Sequence, residues 1–133
     1  MGRKILAVGA GLIAGIAAMM VVNFISVTQY PIPTVIDPAD RVAMAAYIAD
    51  VPMGAKLLVL FGWMLSSFVA GLVAARIAPS GSGRTMAIIA GGFLMLGGII
   101  NIAMIPHPTW MTIIGLLQYI PLAYLGGKAS RRI

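Results

Sequence analysis

The chain of 133 residues contains no cysteine and no glutamate, and it has one histidine and three aspartates. Without cysteine there is no disulfide, no thiol nucleophile and no thiolate metal ligand, and the redox compartment leaves no trace in the sequence. One histidine among three aspartates forms no metal-binding motif. The sequence therefore predicts neither a metal site nor a cofactor, and it argues against an enzyme without excluding one.

Charged residues of either sign are scarce, at 9% of the chain against about 25% in a typical soluble domain, whereas apolar residues reach 61%. So few charges could not cover the surface of a soluble fold of this length. Four apolar runs each have about 20 residues, enough for a helix to cross a hydrocarbon core of roughly 30 Å. The sequence predicts an all-α membrane protein, a single domain over residues 1–133 with transmembrane helices at about 5–27, 57–78, 85–105 and 109–127.

The first run could instead belong to a cleaved signal peptide, because Arg3 and Lys4 precede it. Signal peptides have an apolar core of about 7–15 residues that ends at a small-x-small cleavage site. The run from 5 to 27 is longer, and no clear site of this kind closes it near Ser26. We therefore expect this segment to be retained as the first transmembrane helix.

The basic residues are distributed unevenly along this four-pass chain. Seven of the nine fall on one side, namely Arg3, Lys4, Arg76, Arg84, Lys128, Arg131 and Arg132. Basic residues accumulate on the cytoplasmic side of membrane proteins, so the pattern predicts that both termini are cytoplasmic. The net charge of +6 then reflects orientation and contact with anionic membrane lipids, and no motif indicates a nucleic-acid partner.

All three acidic residues lie in the loop between the first two spans, which the same pattern places outside. The order Asp37-Pro38-Ala39-Asp40 is typical of a helix start, with Asp37 as the cap, Pro38 first and Asp40 third. Since Pro52 follows, we predict a short outer interfacial helix at about 38–49. One of its faces consists mainly of alanines, and we expect that face to pack on the ends of the transmembrane helices.

The only histidine, His107, lies in the other outer loop and suggests the hypothesis of a chemical site on the outer surface. A proton relay or lipid- or quinone-binding site would use the titratable and aromatic residues of the two loops, Asp37, Asp50, Tyr47, His107 and Trp110. The alternative is that His107 is a polar turn residue at the headgroup boundary, beside an interfacial Trp110. The sequence favours this second interpretation.

Polarity inside the spans is mild, and no Asp, Glu, Lys or His lies near the middle of any of them. The small multidrug-resistance transporters have a similar size and helix count, but they depend on a membrane-embedded glutamate that this chain lacks. The main polar residues within the spans are Asn23, Ser66, Ser67, Asn101 and Gln118. Serines can bond their own helix backbone, whereas Asn and Gln commonly bond across helices. Asn23 and Asn101 could therefore meet each other or cap the loop backbone, and Gln118 could satisfy backbone groups that Pro121 leaves unpaired.

Small residues recur at intervals of four on three of the spans. The glycines of these stripes are Gly11, Gly15, Gly62, Gly71, Gly91 and Gly98. Small side chains allow the backbones of two helices to approach closely where lipid supplies no hydrophobic drive. The stripes predict a tightly packed bundle and leave open whether one of them serves a partner.

Four segments read IDPADRVAMAAYIADVP, GAKLLVLFGWMLSSFVAGLVAARIA, IPHPTW and IPLAYLGG. Together they resemble a pattern in small bacterial four-helix inner-membrane proteins of unassigned function. The resemblance implies a bacterial inner-membrane location, and it implies no activity and no site.

Three hypotheses for function follow. The first is a structural or accessory membrane protein that associates with itself or with a larger membrane partner through its Gly/Ala/Ser stripes. The second is a carrier or channel for a neutral or lipophilic small molecule, which requires a cavity among the polar residues Ser66, Ser67, Asn101, Gln118 and Tyr119. The third is an enzymatic or a lipid- or quinone-binding site on the outer surface around His107. The absence of charge within the spans favours the first.

Overall fold

A computed structural model describes residues 2–29, 39–50, 52–104 and 108–130. Within these ranges the chain forms helices and no strands: α1 (Gly2–Gln29), α2 (Arg41–Asp50), α3 (Met53–Ile77), α4 (Gly83–Met104) and α5 (Thr109–Ala129). All but α2 are long and apolar enough to cross a membrane. The predictions of an all-α chain and of four such helices are confirmed.

The helix bounds differ from those predicted because a charged residue interrupts an apolar run but can still be part of a helix. The helix α1 begins at Gly2 and so includes Arg3 and Lys4, and α3 begins at Met53 and so includes Lys56. What precedes α3 is Pro52, with the extended backbone angles φ −56° and ψ 147°. Local backbone geometry, rather than hydropathy, therefore sets this boundary.

A tight turn joins α3 to α4. The amide of Ser82 donates to the carbonyl of Pro79 at 3.0 Å, and Gly81 has a φ of +86°. Glycine adopts this left-handed angle without steric cost, which suits the third position of such a turn. The turn makes α3 and α4 antiparallel neighbours.

The helix α3 packs against α1, α4 and α5, whereas α1 and α5 do not pack against each other in the described ranges. A Cβ atom placed on Gly11 would lie 2.6 Å from the Ala70 carbonyl oxygen, so the backbones of α1 and α3 are nearly in contact. The guanidinium of Arg3 donates through Nε to the carbonyl of Ile77. The start of α1 thus lies beside the end of α3.

Two apolar clusters fill the bundle. One consists mainly of small residues and joins α1, α3 and α4: Ala7, Ala70, Ala74, Ala78, Met86 and Ala90. It lies at the end of the bundle where α1 and α4 begin and α3 and α5 end, which we call the basic end. The other cluster has larger side chains, centred on Leu60, Trp63, Met111 and Tyr119. It occupies the opposite half, which we call the far half.

The short helix α2 is not part of this bundle. Among the described residues, no Cα atom of α2 lies within 8 Å of a Cα atom of another helix. Ala45 and Ala46 are exposed, and Val42 is 81% exposed. The prediction that the alanine face of this helix packs on the ends of the transmembrane helices is therefore wrong.

The cap of α2 also differs from the prediction. The carboxylate of Asp40 accepts the amide hydrogens of Val42 and Ala43, each at 3.1 Å, so Asp40 is the N-cap and not the third helical residue. The helix accordingly begins at Arg41 instead of 38. An aspartate suits the N-cap and also the third position of a helix. The two amide hydrogens that Asp40 accepts identify it as the N-cap. Asp37, the predicted cap, lies outside the described residues.

We expect Asp40→Ala to unfold much of α2, since the cap contributes about 0.5–2 kcal/mol and no packing within the bundle compensates. Hydrogen exchange at the Val42 and Ala43 amides should accelerate in this variant. Asp40→Asn keeps a capping oxygen and should behave as wild type, and Asp50→Ala removes the same charge at the other end of α2. Equal exchange in Asp40→Ala and Asp50→Ala would show that the carboxylate of Asp40 does not hold the helix start.

Candidate functional site

The residues predicted for an outer chemical site are not assembled in the described part of the chain. Tyr47 and Asp50 lie on α2, which packs on no other described helix, whereas Trp110 packs against the far-half cluster. Asp37 and His107 lie outside the described residues, so the hypothesis of an outer site around His107 stays a hypothesis. Among the residues described, no three His, Cys, Asp or Glu side chains group together in a way that could hold a metal ion.

The two serines inside α3 are fully enclosed, with Ser66 at 1% and Ser67 at 0% exposure. The hydroxyl of Ser67 donates to the carbonyl of Trp63 in its own helix at 2.9 Å. The hydroxyl oxygen of Ser66 would lie 3.2 Å from a Cβ atom placed on Gly15 of α1. Both serines act as small packing residues at helix contacts.

Two amide side chains leave buried acceptors without a hydrogen-bond partner in the described structure. They are Asn101 through Oδ1 and Gln118 through Oε1. The side-chain nitrogen of Gln118 donates to the carbonyl of Gly115 at 3.0 Å. Pro121 has no amide hydrogen, so the carbonyl of Leu117, four residues earlier, lacks its helical donor. Gln118 donates to Gly115 instead, so it does not act as predicted. Asn23 is exposed, and Asn101 Oδ1 does not accept the predicted bond from it.

Glycine creates room for the two large aromatic side chains of the far half. A Cβ atom placed on Gly98 would lie 2.7 Å from the Tyr119 ring, and one on Gly115 would lie 2.6 Å from the Trp63 ring. Each ring therefore packs closely against a glycine of a neighbouring helix. This close fit leaves no room among these atoms for an additional side chain.

The glycines of the predicted stripes all face another helix of the same chain. Gly11 and Gly15 of α1 meet α3, Gly62 of α3 meets Val22, and Gly71 meets the backbone of Ala123. Gly91 and Gly98 of α4 meet α5. By contrast, Cβ atoms on Gly9, Gly92 and Gly97 would meet nothing within 4 Å. The predicted stripes are thus occupied within the chain.

The basic end contains an arrangement that the sequence did not reveal. Arg3 Nε lies 2.7 Å from the carbonyl oxygen of Ile77, at the end of α3. The guanidinium carbon of Arg84, in the first turn of α4, lies 5.7 Å from the ring centroid of Tyr124 in α5. The two contacts span 74 and 40 positions in sequence, so no local pattern could have indicated them.

Comparison with known proteins adds no further information about these residues: no family model, curated protein or solved structure matches the chain.

Proposed function

We propose that this chain is an accessory membrane protein that presents α2 to a larger membrane-protein partner. In the proposed arrangement the four long helices form the anchor, in a bacterial inner membrane with both termini in the cytoplasm. The seven-to-two asymmetry of basic residues supports this orientation, which puts α2 outside. Because the six predicted glycines already serve contacts within the chain, α2 is the proposed contact with the partner.

The observation that carries the proposal is that α2 is capped and helical although it packs on no other described helix. Helices shorter than about 12–15 residues are marginal in water, and α2 has 10 residues. We infer that something outside the described residues stabilises it, and we weigh a lipid surface against a protein.

The composition of α2 favours a protein. Helices that insert into the headgroup layer carry Trp, Phe or Leu on one face and Lys or Arg on the other. The sequence RVAMAAYIAD has no Trp, Phe, Leu or Lys and one Arg, and an aspartate stands at each end. Anionic headgroups repel the aspartates, whereas exposed alanines such as Ala45 and Ala46 allow another helix to approach closely.

The absence of cysteine makes the test direct, because one introduced cysteine is the only thiol. In intact cells, a membrane-impermeant maleimide should label Ala45→Cys but not Ser80→Cys, which is exposed in the turn between α3 and α4. A maleimide photocrosslinker on Ala45→Cys should then give one discrete product with another membrane protein. Adding Ala46→Trp on the same helix should reduce that product at least about fivefold, since a bulky side chain blocks close approach.

Other outcomes of this experiment are equally informative. A product with twice the mass of the chain would replace the larger partner by a second copy. Adducts with lipid alone would contradict protein docking, and labelling of Ser80→Cys from outside would contradict the orientation.

A second function, binding or transport of a neutral lipophilic molecule, is favoured by the unpaired acceptors Asn101 Oδ1 and Gln118 Oε1. A buried carbonyl oxygen without a donor costs about 1–3 kcal/mol, and a ligand hydroxyl or N–H group would recover part of it. The enclosed serines and the tight fit of Tyr119 on Gly98 weigh against a roomy cavity beside them. The outer site around His107 stays a prediction.

A further inference from the structure

The basic end holds two arginine side chains in defined positions. The Nε atom of Arg3 donates to Ile77, whose carbonyl is one of the acceptors that the end of α3 leaves without a helical partner. The guanidinium of Arg84 lies over the ring of Tyr124. Since Ile77 directly precedes the turn into α4, and Arg84 lies in the first turn of α4, both arginines belong to the same end of the bundle.

Both contacts leave most of the hydrogen-bonding capacity of the guanidinium groups unused. A guanidinium has five N–H donors in a planar fork, and Arg3 uses the one on Nε for Ile77. The ring of Tyr124 attracts the face of the Arg84 guanidinium, so the in-plane donors are not consumed. Arg3 and Arg84 are both exposed, so these donors are accessible.

Among the described residues, no acidic side chain competes for these donors. The only three acids of the chain are Asp37, Asp40 and Asp50, all in the segment between α1 and α3. Lys4 and Lys128 lie on helix turns at the basic end, both are exposed, and they add further positive charge. The described part of this end is therefore positively charged, attracts anions and contains no side-chain carboxylate.

We propose that Arg3 and Arg84 bind phosphate groups of anionic phospholipids at the basic end. Arginine matches phosphate oxygens with two parallel N–H bonds, which a lysine cannot do. A lipid is favoured over a soluble phosphate because Leu6, three positions after Arg3 and so its neighbour on the surface of α1, is a large apolar side chain with 61% exposure. This side chain suits an acyl chain. The proposal requires membrane insertion and does not depend on the docking of α2.

The role of Tyr124 separates this proposal from a general attraction between basic residues and anionic lipids. If Tyr124 holds the Arg84 guanidinium, replacing its ring should weaken lipid binding without any change of charge. Phenylalanine keeps an aromatic face, whereas leucine removes it. Likewise, Arg84→Lys keeps the charge and removes the fork, and Lys4→Gln removes a charge that no described contact holds in place.

The test is native mass spectrometry of the full chain released from nanodiscs of equal phosphatidylglycerol and phosphatidylcholine. We expect the wild type to retain phosphatidylglycerol preferentially. The preference should fall about fivefold in Arg84→Lys and in Tyr124→Leu, and it should persist in Tyr124→Phe and largely in Lys4→Gln. The Arg3→Lys variant should show a similar loss. Thermal unfolding in phosphatidylcholine alone verifies that each variant is folded. If Arg3→Lys does not fold, the lipid preference of Arg84→Lys tests the proposal.

Two outcomes would overturn the proposal. If Lys4→Gln loses as much preference as Arg84→Lys, the lipid responds to net charge and not to two positioned arginines. If inorganic phosphate alone, at millimolar concentration, binds the detergent-solubilised chain and displaces phosphatidylglycerol, the site recognises soluble phosphate instead of a lipid.

Discussion

One methyl group added at Gly71 or at Gly126 is expected to force α3 and α5 apart. A Cβ atom on Gly71 would overlap the carbonyl group of Ala123, and one on Gly126 would overlap that of Phe68. These neighbours are backbone atoms, which cannot rotate away as a side chain can. Overpacking costs about 1–3 kcal/mol even where side chains adjust, so we expect Gly71→Ala and Gly126→Ala to reach or exceed that range.

Thermal unfolding in a mild detergent measures this effect, and the chain supplies a matched control. Gly92 is a helical glycine at which a Cβ atom would meet nothing within 4 Å. Gly92→Ala should therefore be neutral or stabilising, because alanine has the higher helix propensity by about 0.8–1 kcal/mol. Equal stability of Gly71→Ala and Gly92→Ala would contradict the close approach of α3 and α5.

The second large effect is expected at Trp63, which lies in the far-half cluster with 5% exposure and packs on the backbone of Gly115. In soluble proteins Trp→Ala in a core costs about 3–5 kcal/mol, through lost transfer free energy and through the cavity. Inside a membrane the side chain stays in an apolar medium in either state, so mainly the packing loss remains. We expect Trp63→Ala to destabilise the bundle by about 2–3 kcal/mol for this reason.

Phe93 provides the comparison, since it is another aromatic residue within a span but is 53% exposed. Phe93→Ala should change the free energy of unfolding by less than about 1 kcal/mol, because lipid replaces the contacts of the ring. Reversible unfolding of both variants by a denaturing detergent would give the two values. Similar losses at Trp63 and Phe93 would mean that the far half is not packed around Trp63.

The contacts of the glycines show what the predicted stripes do. From sequence, the glycine stripes could serve either the bundle or a partner. In the structure all six predicted glycines face another helix of the chain, whereas Cβ atoms placed on Gly92 and Gly97 would meet nothing within 4 Å. The stripes therefore explain how the four helices pack, and they leave α2 as the proposed contact with a partner.

The membrane-spanning architecture followed from the sequence because it depends on quantities that add along the chain. The free energy of placing a segment in hydrocarbon is a sum over about 20 neighbouring residues, so four long apolar runs suffice to predict four spans. The uneven distribution of the basic residues is likewise visible without any contact. Helix ends were less predictable: the apolar run begins after Lys56, whereas α3 begins at Met53 and so includes Lys56.

Tertiary structure decided every pairwise contact, because a contact depends on how two distant helices are rotated and spaced. Asp37 and Asp40 are equally suited to cap a helix, and only the amides of Val42 and Ala43 identify Asp40 as the cap of α2. The packing of α2 on the bundle was expected from its alanines and is not observed in the described structure. The contact of Arg84 with Tyr124 joins residues 40 positions apart, which no local periodicity encodes.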